Sequence, residues 1–271
     1  MQLPFEKYMK IKDAIIILGP GKSGTTLLND ILALHQDLFW VSTYLNKYPN
    51  HPWLSLLNNF QTIGVIEKFT RSRQKFPRPA ESFPFWAHYI RNFRFNPKNF
   101  NEQDILNAQD AVKKINRYQI GERFITKLTG PSRWRFLEEI FDNPYIIWLD
   151  RDPKAVIASF YSYKWKYKNQ PEIFKKKEKA ELIKEYVTYY NNLQIDKVNL
   201  RRFRYCEVYY EDLVDNPAVF LAKLCNFLEL EYSKSFKQKV NTWGILKKTN
   251  SKYQKIFTPQ EISLIENLLS K

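Results

Sequence analysis

Apolar residues in this chain gather into short β-prone runs, separated by stretches in which they recur every three or four positions. The runs at 14–18, 38–41, 123–126, 145–149 and 204–209 predict five strands. The intervening periodicity predicts helices at 25–35, 53–60, 103–117, 131–141, 153–165, 176–198, 217–229 and 259–269. The last of these has a strong start signal. Thr258-Pro259-Gln260-Glu261 places a threonine N-cap three residues ahead of a glutamate, the spacing of a capping box. Apolar strands alternating with helices imply an α/β fold, a central parallel sheet with helices on both faces and right-handed crossovers. No linker, repeat or low-complexity run divides the chain, so residues 1–271 read as a single domain.

The most informative junction is the first. The apolar run Ile15 to Leu18 passes directly into Gly19-Pro20-Gly21-Lys22-Ser23-Gly24-Thr25-Thr26, and an apolar helical stretch starts at Leu27. A buried strand, a glycine-rich turn and a helix N-terminus in succession form an anion cradle. Backbone N–H groups converge on a phosphate, and the helix dipole adds roughly half a positive charge behind them. Lys22 supplies a full charge, and Ser23, Thr25 and Thr26 supply hydroxyls. The ATP-type loop needs a glycine five positions before Gly21; that position is Ile16, inside the strand. The spacing therefore argues against a nucleoside triphosphatase.

A second junction repeats the pattern. The strand Tyr145-Ile-Ile-Trp-Leu149 ends in Asp150-Arg151-Asp152-Pro153, with the proline suited to a first helical turn. Arg151 lies at the carboxyl end of a strand, where ligands collect in open parallel sheets. Ser159 follows eight residues later on the same helix, two turns along, so an arginine fork and a hydroxyl can share one phosphate.

GKSGTT after one strand and R-D-P-x-A-V-x-A-S after a later one resemble the two nucleotide motifs of sulfotransferases, with a P-loop-like nucleotide site. Those enzymes use 3′-phosphoadenosine 5′-phosphosulfate (PAPS). The resemblance implies that Gly21, Lys22, Ser23, Gly24, Thr25 and Thr26 hold the 5′-phosphosulfate and that Arg151 and Ser159 hold the 3′-phosphate. It extends over roughly residues 14 to 255 and includes Tyr209-Tyr-Glu-Asp-Leu-Val-Asp-Asn-Pro217, similar to a segment near the nucleotide in that family, with Tyr209 as a binding residue. It implies a transferase of sulfuryl groups with no metal, acting on a hydroxyl or amine of a small molecule or glycan. The 16% aromatic content suits a sugar, a phenol or a lipid headgroup equally.

Composition adds bounds. The 43 Lys and Arg against 28 Asp and Glu give +15, a number that first suggests nucleic acid. The charge is dispersed, however. Its densest part, Lys164 to Lys184, holds eight lysines and three glutamates and continues into a helix whose Ile183, Val187 and Tyr190 mark one apolar face. That is a solvated basic face, with attraction of an anionic co-substrate as its functional use, so no nucleic-acid partner is expected. Cys206 and Cys225 make no disulfide framework, no run of 18 apolar residues exists, and Met1-Gln-Leu-Pro lacks a signal-peptide core. The chain reads as soluble and cytoplasmic. Two other readings stay open: a P-loop kinase, in which Asp150 holds Mg²⁺, and a non-catalytic binder of polyanions.

The catalytic groups are less legible. Lys22 suits the bridging oxygen of the leaving nucleotide, and Lys127, after the strand 123–126, matches a lysine that sulfotransferases often carry. Family members acting on small molecules have a histidine two residues after that lysine; here it is Thr129. Other branches use a glutamate soon after the first helix, and Val41-Ser-Thr-Tyr-Leu45 offers none. Glu81, His51 and His88 remain as bases, with Glu81 favoured over His51 because it sits in a proline-framed loop leading into aromatic residues.

Overall fold

The computed structural model describes residues 10–62, 77–243 and 250–270. Among the described residues seven strands follow one another: β1 (Ile11–Lys12), β2 (Ile15–Leu18), β3 (Leu38–Trp40), β4 (Arg123–Lys127), β5 (Phe141–Asp142), β6 (Tyr145–Asp150) and β7 (Arg204–Tyr209). Five of them make one sheet in the order β3-β4-β2-β6-β7, and every pairing in it is parallel. β1 and β5 form a separate parallel pair. The glycine-rich loop leaves the central strand. Ile17 stands opposite both Lys127 and Ile147, so the ends of β4 and β6 flank the loop that β2 feeds.

The strand sequences explain the layers. β2 is buried throughout, because its alternate residues enter two different cores. Ile16 and Leu18 join Phe124, Ile146 and Trp148 on one face, under the helices Phe83–Tyr89, Glu102–Asn116 and Trp134–Ile140. Ile15 and Ile17 join Ile125, Ile147 and Leu149 on the other, against α1 (Thr25–Leu32) and the helix Pro217–Phe227. Each buried isoleucine contributes about 1.5–3 kcal/mol. A third cluster unites α2 (Pro153–Ser162), α3 (Lys179–Asp196) and α4 (Pro259–Leu269). The α/β fold with a central parallel sheet is as expected, and so is the capping box: Thr258 Oγ1 accepts from Glu261 N at 3.3 Å, and Thr258 N donates to Glu261 Oε2 at 2.8 Å.

The departures lie at element ends. The helix expected over 153–165 stops at Ser162, since Lys164 is left-handed (φ 48°) and a 3₁₀ turn over Trp165–Tyr167 follows. That break folds Trp165 back over the glycine-rich loop, where a Cβ on Gly21 would lie 3.2 Å from its ring. The helix expected over 131–141 begins at Trp134, after left-handed Gly130 and Arg133 (φ 94° and 49°). The stretch 53–60 is a 3₁₀ helix over Pro52–Asn58 followed by a single turn. The basic segment also divides, at Lys177, into the helix Pro171–Lys176 and α3. Lys177 and Lys166 both reach Glu185, and Lys179 reaches Glu261, so much of the local charge is paired. Among the described residues no helix is long and apolar enough to cross a membrane.

Candidate active site

The loop is built by two close approaches. Gly19 (φ 149°) leaves β2 against β6, where a Cβ would meet the Leu149 carbonyl oxygen at 2.3 Å. Gly24 (φ 98°) ends the loop over the Tyr210 ring, where a Cβ would sit 2.5 Å from Cδ2. Lys22 between them is left-handed at φ 71°, a conformation rare outside glycine. α1 starts at Thr25 with no side-chain cap and no acidic residue in its first turn. Its first N–H groups therefore point outward without a protein carboxylate, and Ser23 Oγ is buried without a hydrogen-bond partner. Helix dipole, backbone donors and an orphaned hydroxyl together favour an anion.

Arg151 is tied to this loop directly. Its Nη1 donates to the Lys22 carbonyl at 3.0 Å, its Nε donates to Asn250 Oδ1 at 2.9 Å, and its guanidinium lies 4.4 Å from the Tyr210 ring centroid. Burial pulls its pKa below the ordinary arginine value, opposed by the neighbouring Tyr210, Glu211 and Asp152. Glu211 Oε1 accepts from Asp152 N at 3.1 Å and also from Asn250, which locks the Tyr209–Pro217 segment onto the start of α2. Tyr210, buried at the loop, makes these contacts. Tyr209 is half exposed and lines a separate cleft of about 560 Å³ with Cys206, Asp212 and Lys223. Ser159 is half-buried on α2, two turns from Arg151, and among the described residues no hydrogen bond joins the two.

On the other side of the loop, β4 brings Lys127. This lysine is buried, and its Nζ donates to Thr26 Oγ1 at 2.8 Å. Burial holds its pKa below the usual lysine value, with Glu81 and Asp30 opposing and Lys22 reinforcing the shift. Residues 78–82 run as an extended strip between the ends of β3 and β4. Thr43 N donates to Arg78 O, Ala80 N to Val41 O and Ser82 N to Lys127 O, at 3.0, 3.0 and 3.1 Å. The strip puts Glu81 in register with Lys127, and Glu81 Oε1 accepts from both the N–H (3.1 Å) and the hydroxyl of Thr129. Lys22 Nζ rests 3.6 Å from the centroid of the exposed Tyr163 ring.

The fold thus gathers Gly21 to Thr26, Arg151, Lys127 and Glu81 around the carboxyl ends of β2, β4 and β6. His51 is not among them. It is exposed, and its ring contacts among the described residues are edge contacts with Tyr48 and Trp53. His88 Nε2 donates to Asn50 Oδ1 at 2.9 Å beside a different cleft, lined also by Asp104 and Asp110. Residues missed in the sequence include Tyr210, Asn250, Tyr163, Arg133 and Asp30. Asp30 lies one helical turn beyond Thr26, and burial raises its pKa to about 6 although Arg78 and Lys127 act against the shift. Only its i+4 spacing from Thr26 could have drawn notice.

Asp150 is committed to protein partners on both carboxylate oxygens. Its Oδ1 accepts from Arg151 N and Tyr190 Oη, both at 2.9 Å, its Oδ2 accepts from Gln194 Nε2 at 2.7 Å, and Lys197 Nζ stands 3.7 Å away. The strand-end aspartate is a structural hub joining β6 to α3.

Comparison with known proteins agrees with the geometry. A model described as "Sulfotransferase family" matches residues 14–234. Sulfotransferase STF9 from Mycobacterium avium superposes with a TM-score of 0.64 at 13% identity, covering 96% of this chain and 76% of that one. The sulfotransferase domain of the Synechococcus PCC 7002 olefin synthase gives 0.54 at 20% identity, covering 98% of each. Mouse sulfotransferase SULT7A1, complexed with PAP, gives 0.54 at 12% identity, covering 94% and 82%. No curated protein matches the sequence.

Proposed function

This chain belongs to the sulfotransferase family, and from that premise we propose that it moves the sulfuryl group of PAPS to a hydroxyl or amine of a small-molecule or glycan acceptor, as one domain spanning residues 1–271. The enzyme is a transferase; the co-substrate and acceptor are the proposed part. The observation that carries the reading is the meeting of the uncapped loop, Lys127 and Glu81 at one point of the sheet. The orphaned Ser23 hydroxyl and the carboxylate-free start of α1 fit a phosphosulfate. The PAP complex of mouse SULT7A1 supports the same nucleotide here. Free thiols at Cys206 and Cys225 suit a reducing, cytoplasmic setting.

PAPS supplies an activated sulfuryl group joined to the 5′-phosphate through a bridging oxygen. Gly21 to Thr26 bind and orient that phosphosulfate through backbone N–H groups and hydroxyls. Arg151 and Ser159 address the 3′-phosphate; the contact of Arg151 with the Lys22 carbonyl couples the two ends. Lys22, now resting on Tyr163, and Lys127, bonded to Thr26, would hold the bridging and equatorial oxygens and stabilise their developing negative charge. Glu81 takes the proton of the acceptor hydroxyl. Its Oε1 is held by Thr129 and its Oε2 carries neither of those bonds. Positioning and electrostatics account for most of the rate in such a transfer, as in phosphoryl transfer.

Calorimetry tests the nucleotide. Adenosine 3′,5′-bisphosphate is expected to bind without metal and more tightly than ATP with Mg²⁺, since Asp150 already has its hydrogen-bond partners. Tighter ATP binding, or a requirement for Mg²⁺, would return the kinase reading. A steep salt slope with no preference among anions would return the polyanion binder. In the same assay Arg151→Ala is expected to lose about 2–4 kcal/mol toward the bisphosphate and almost nothing toward adenosine 5′-phosphosulfate, which lacks the 3′-phosphate. Equal losses for both would make Arg151 a scaffold residue.

A further inference from the structure

A buried cation with unpartnered donors packs on Phe83, two residues after Glu81. Arg133 is 5% exposed, and neither its Nε nor its Nη1 has a partner. Its guanidinium stands 5.3 Å from the Phe83 ring centroid and 5.0 Å from that of Phe93, against one side of a ring pair whose own centroids are 5.3 Å apart. The groups that act on it electrostatically are Tyr189, Glu81 and Asp196. Neither carboxylate bonds to it: Glu81 Oε1 is taken by Thr129, and Asp196 accepts from Ser132 N at 2.6 Å and from Asn199 Nδ2 at 3.2 Å. Arginine keeps its charge in such a place, so the fold holds a desolvated cation with donors unused.

Two hydroxyls share that condition. Ser82 Oγ and Ser132 Oγ are buried and have no partner. Ser82 follows Glu81 in the chain, and Ser132 precedes Arg133. The two segments lie side by side, because Ser82 N donates to Lys127 O, Thr129 donates to Glu81 and Arg133 packs on Phe83. Unpaired buried donors are expensive for a fold, and native structures leave few of them. Here Ser82 Oγ, Ser132 Oγ and two Arg133 donors lie on the two strips that frame Glu81, and an anionic group can accept from each of them.

We propose that Arg133, with Ser82 and Ser132, holds an anionic group of the acceptor. The substrates are then hydroxyl compounds that carry a carboxylate, sulfonate, sulfate or phosphate within reach of the hydroxyl that is sulfated. This rests on the sulfotransfer reading and adds the acceptor class to it. The Phe83–Phe93 ring pair and the burial of Arg133 keep water from one side of the guanidinium, which strengthens a charge-assisted hydrogen bond. The arrangement also selects. A neutral analogue entering the same place leaves the guanidinium desolvated and unpaired, so discrimination comes from the penalty as well as from the bond.

The test titrates the protein, saturated with adenosine 3′,5′-bisphosphate, with three phenols: 4-hydroxyphenylacetate, 4-hydroxybenzenesulfonate and the neutral methyl ester of the first. At least one of the two anions is expected to bind about tenfold or more tightly than the ester. Arg133→Met should abolish that preference while leaving bisphosphate affinity in place, and Arg133→Lys should restore part of it. The methionine variant should also melt at a higher temperature, since an unpaired buried charge gives way to an apolar chain of similar length; a structural arginine would give the opposite shift. Ser132→Ala removes one hydroxyl only and should reduce the preference in the same direction, which keeps the test decisive if the methionine variant does not fold. Equal affinity for all three phenols, binding of none, or a preference that survives Arg133→Met overturns the proposal. Failure of the bisphosphate itself to bind is the distinct result that removes the sulfotransfer reading and this one with it.

Discussion

Glu81→Gln is expected to lower kcat by about 10²–10⁴-fold while leaving the affinity for adenosine 3′,5′-bisphosphate unchanged. The carboxylate stands in register with Lys127, and Thr129 fixes its Oε1 by two hydrogen bonds. Glutamine keeps an oxygen to accept those bonds, so the strip 78–82 stays paired and the loss falls on proton acceptance. Asn46 Nδ2, which donates to the Glu81 carbonyl at 2.8 Å, holds the backbone in either variant. His51→Ala is the matched control. His51 is exposed and away from the loop, so near-normal turnover is expected. The reverse result, a large loss in the histidine variant with a near-normal Glu81→Gln enzyme, would transfer the base to His51 and require the segment around it to close onto the loop.

Lys127→Met and Lys22→Ala are each expected to cost about 10²–10³-fold in kcat, with a smaller loss of bisphosphate affinity. Both charges matter most when the bridging and equatorial oxygens become negative, which happens between ground state and transition state. Their environments differ, so their pH behaviour should differ too. Burial holds the Lys127 pKa below the ordinary value of 10.5. A lysine with a lowered pKa is charged below it and neutral above it, so turnover should decline on the alkaline side earlier than an ordinary lysine would dictate. That alkaline limb should vanish in Lys127→Met, whose low residual rate is then flat over the same range. A limb that persists in the variant would assign it to another group. Methionine is used because Lys127 is buried and its chain fills space behind Thr26.

Several of these positions were accessible from local pattern alone. The glycine-rich loop announces itself because strand, turn and helix start are contiguous, and its physics is local: uncapped N–H groups and a dipole. Arg151, which the structure ties to that loop through the Lys22 carbonyl, is legible at its strand end for the same reason. Tyr209 was singled out in its segment, whereas the buried ring under Gly24 and Arg151 is Tyr210. Adjacent residues at the end of a strand point to opposite sides, so a one-residue choice is decided by which face the sheet buries. Glu81 was reachable only as a plausible base among three. What sets it apart is a pairing with Lys127, 46 positions along the chain, that no local pattern encodes.

Local pattern was enough to set the class of fold and the glycine-rich loop between β2 and α1. Apolar period, proline and glycine placement, and the Thr258–Glu261 capping box act over a few residues, and hydrogen bonds and sterics of that range do not depend on what lies across the molecule. Long-range packing set the strand order, the meeting of Glu81, Thr129 and Lys127, the protein partners of Asp150, and the unpartnered donors of Arg133. Each of these is a question of which polar atoms find partners once the apolar faces have been buried. The two cores on either side of β2 fix the register of its neighbours, and that register settles which side chains meet at the carboxyl end of the sheet and which donors are left waiting for an acceptor.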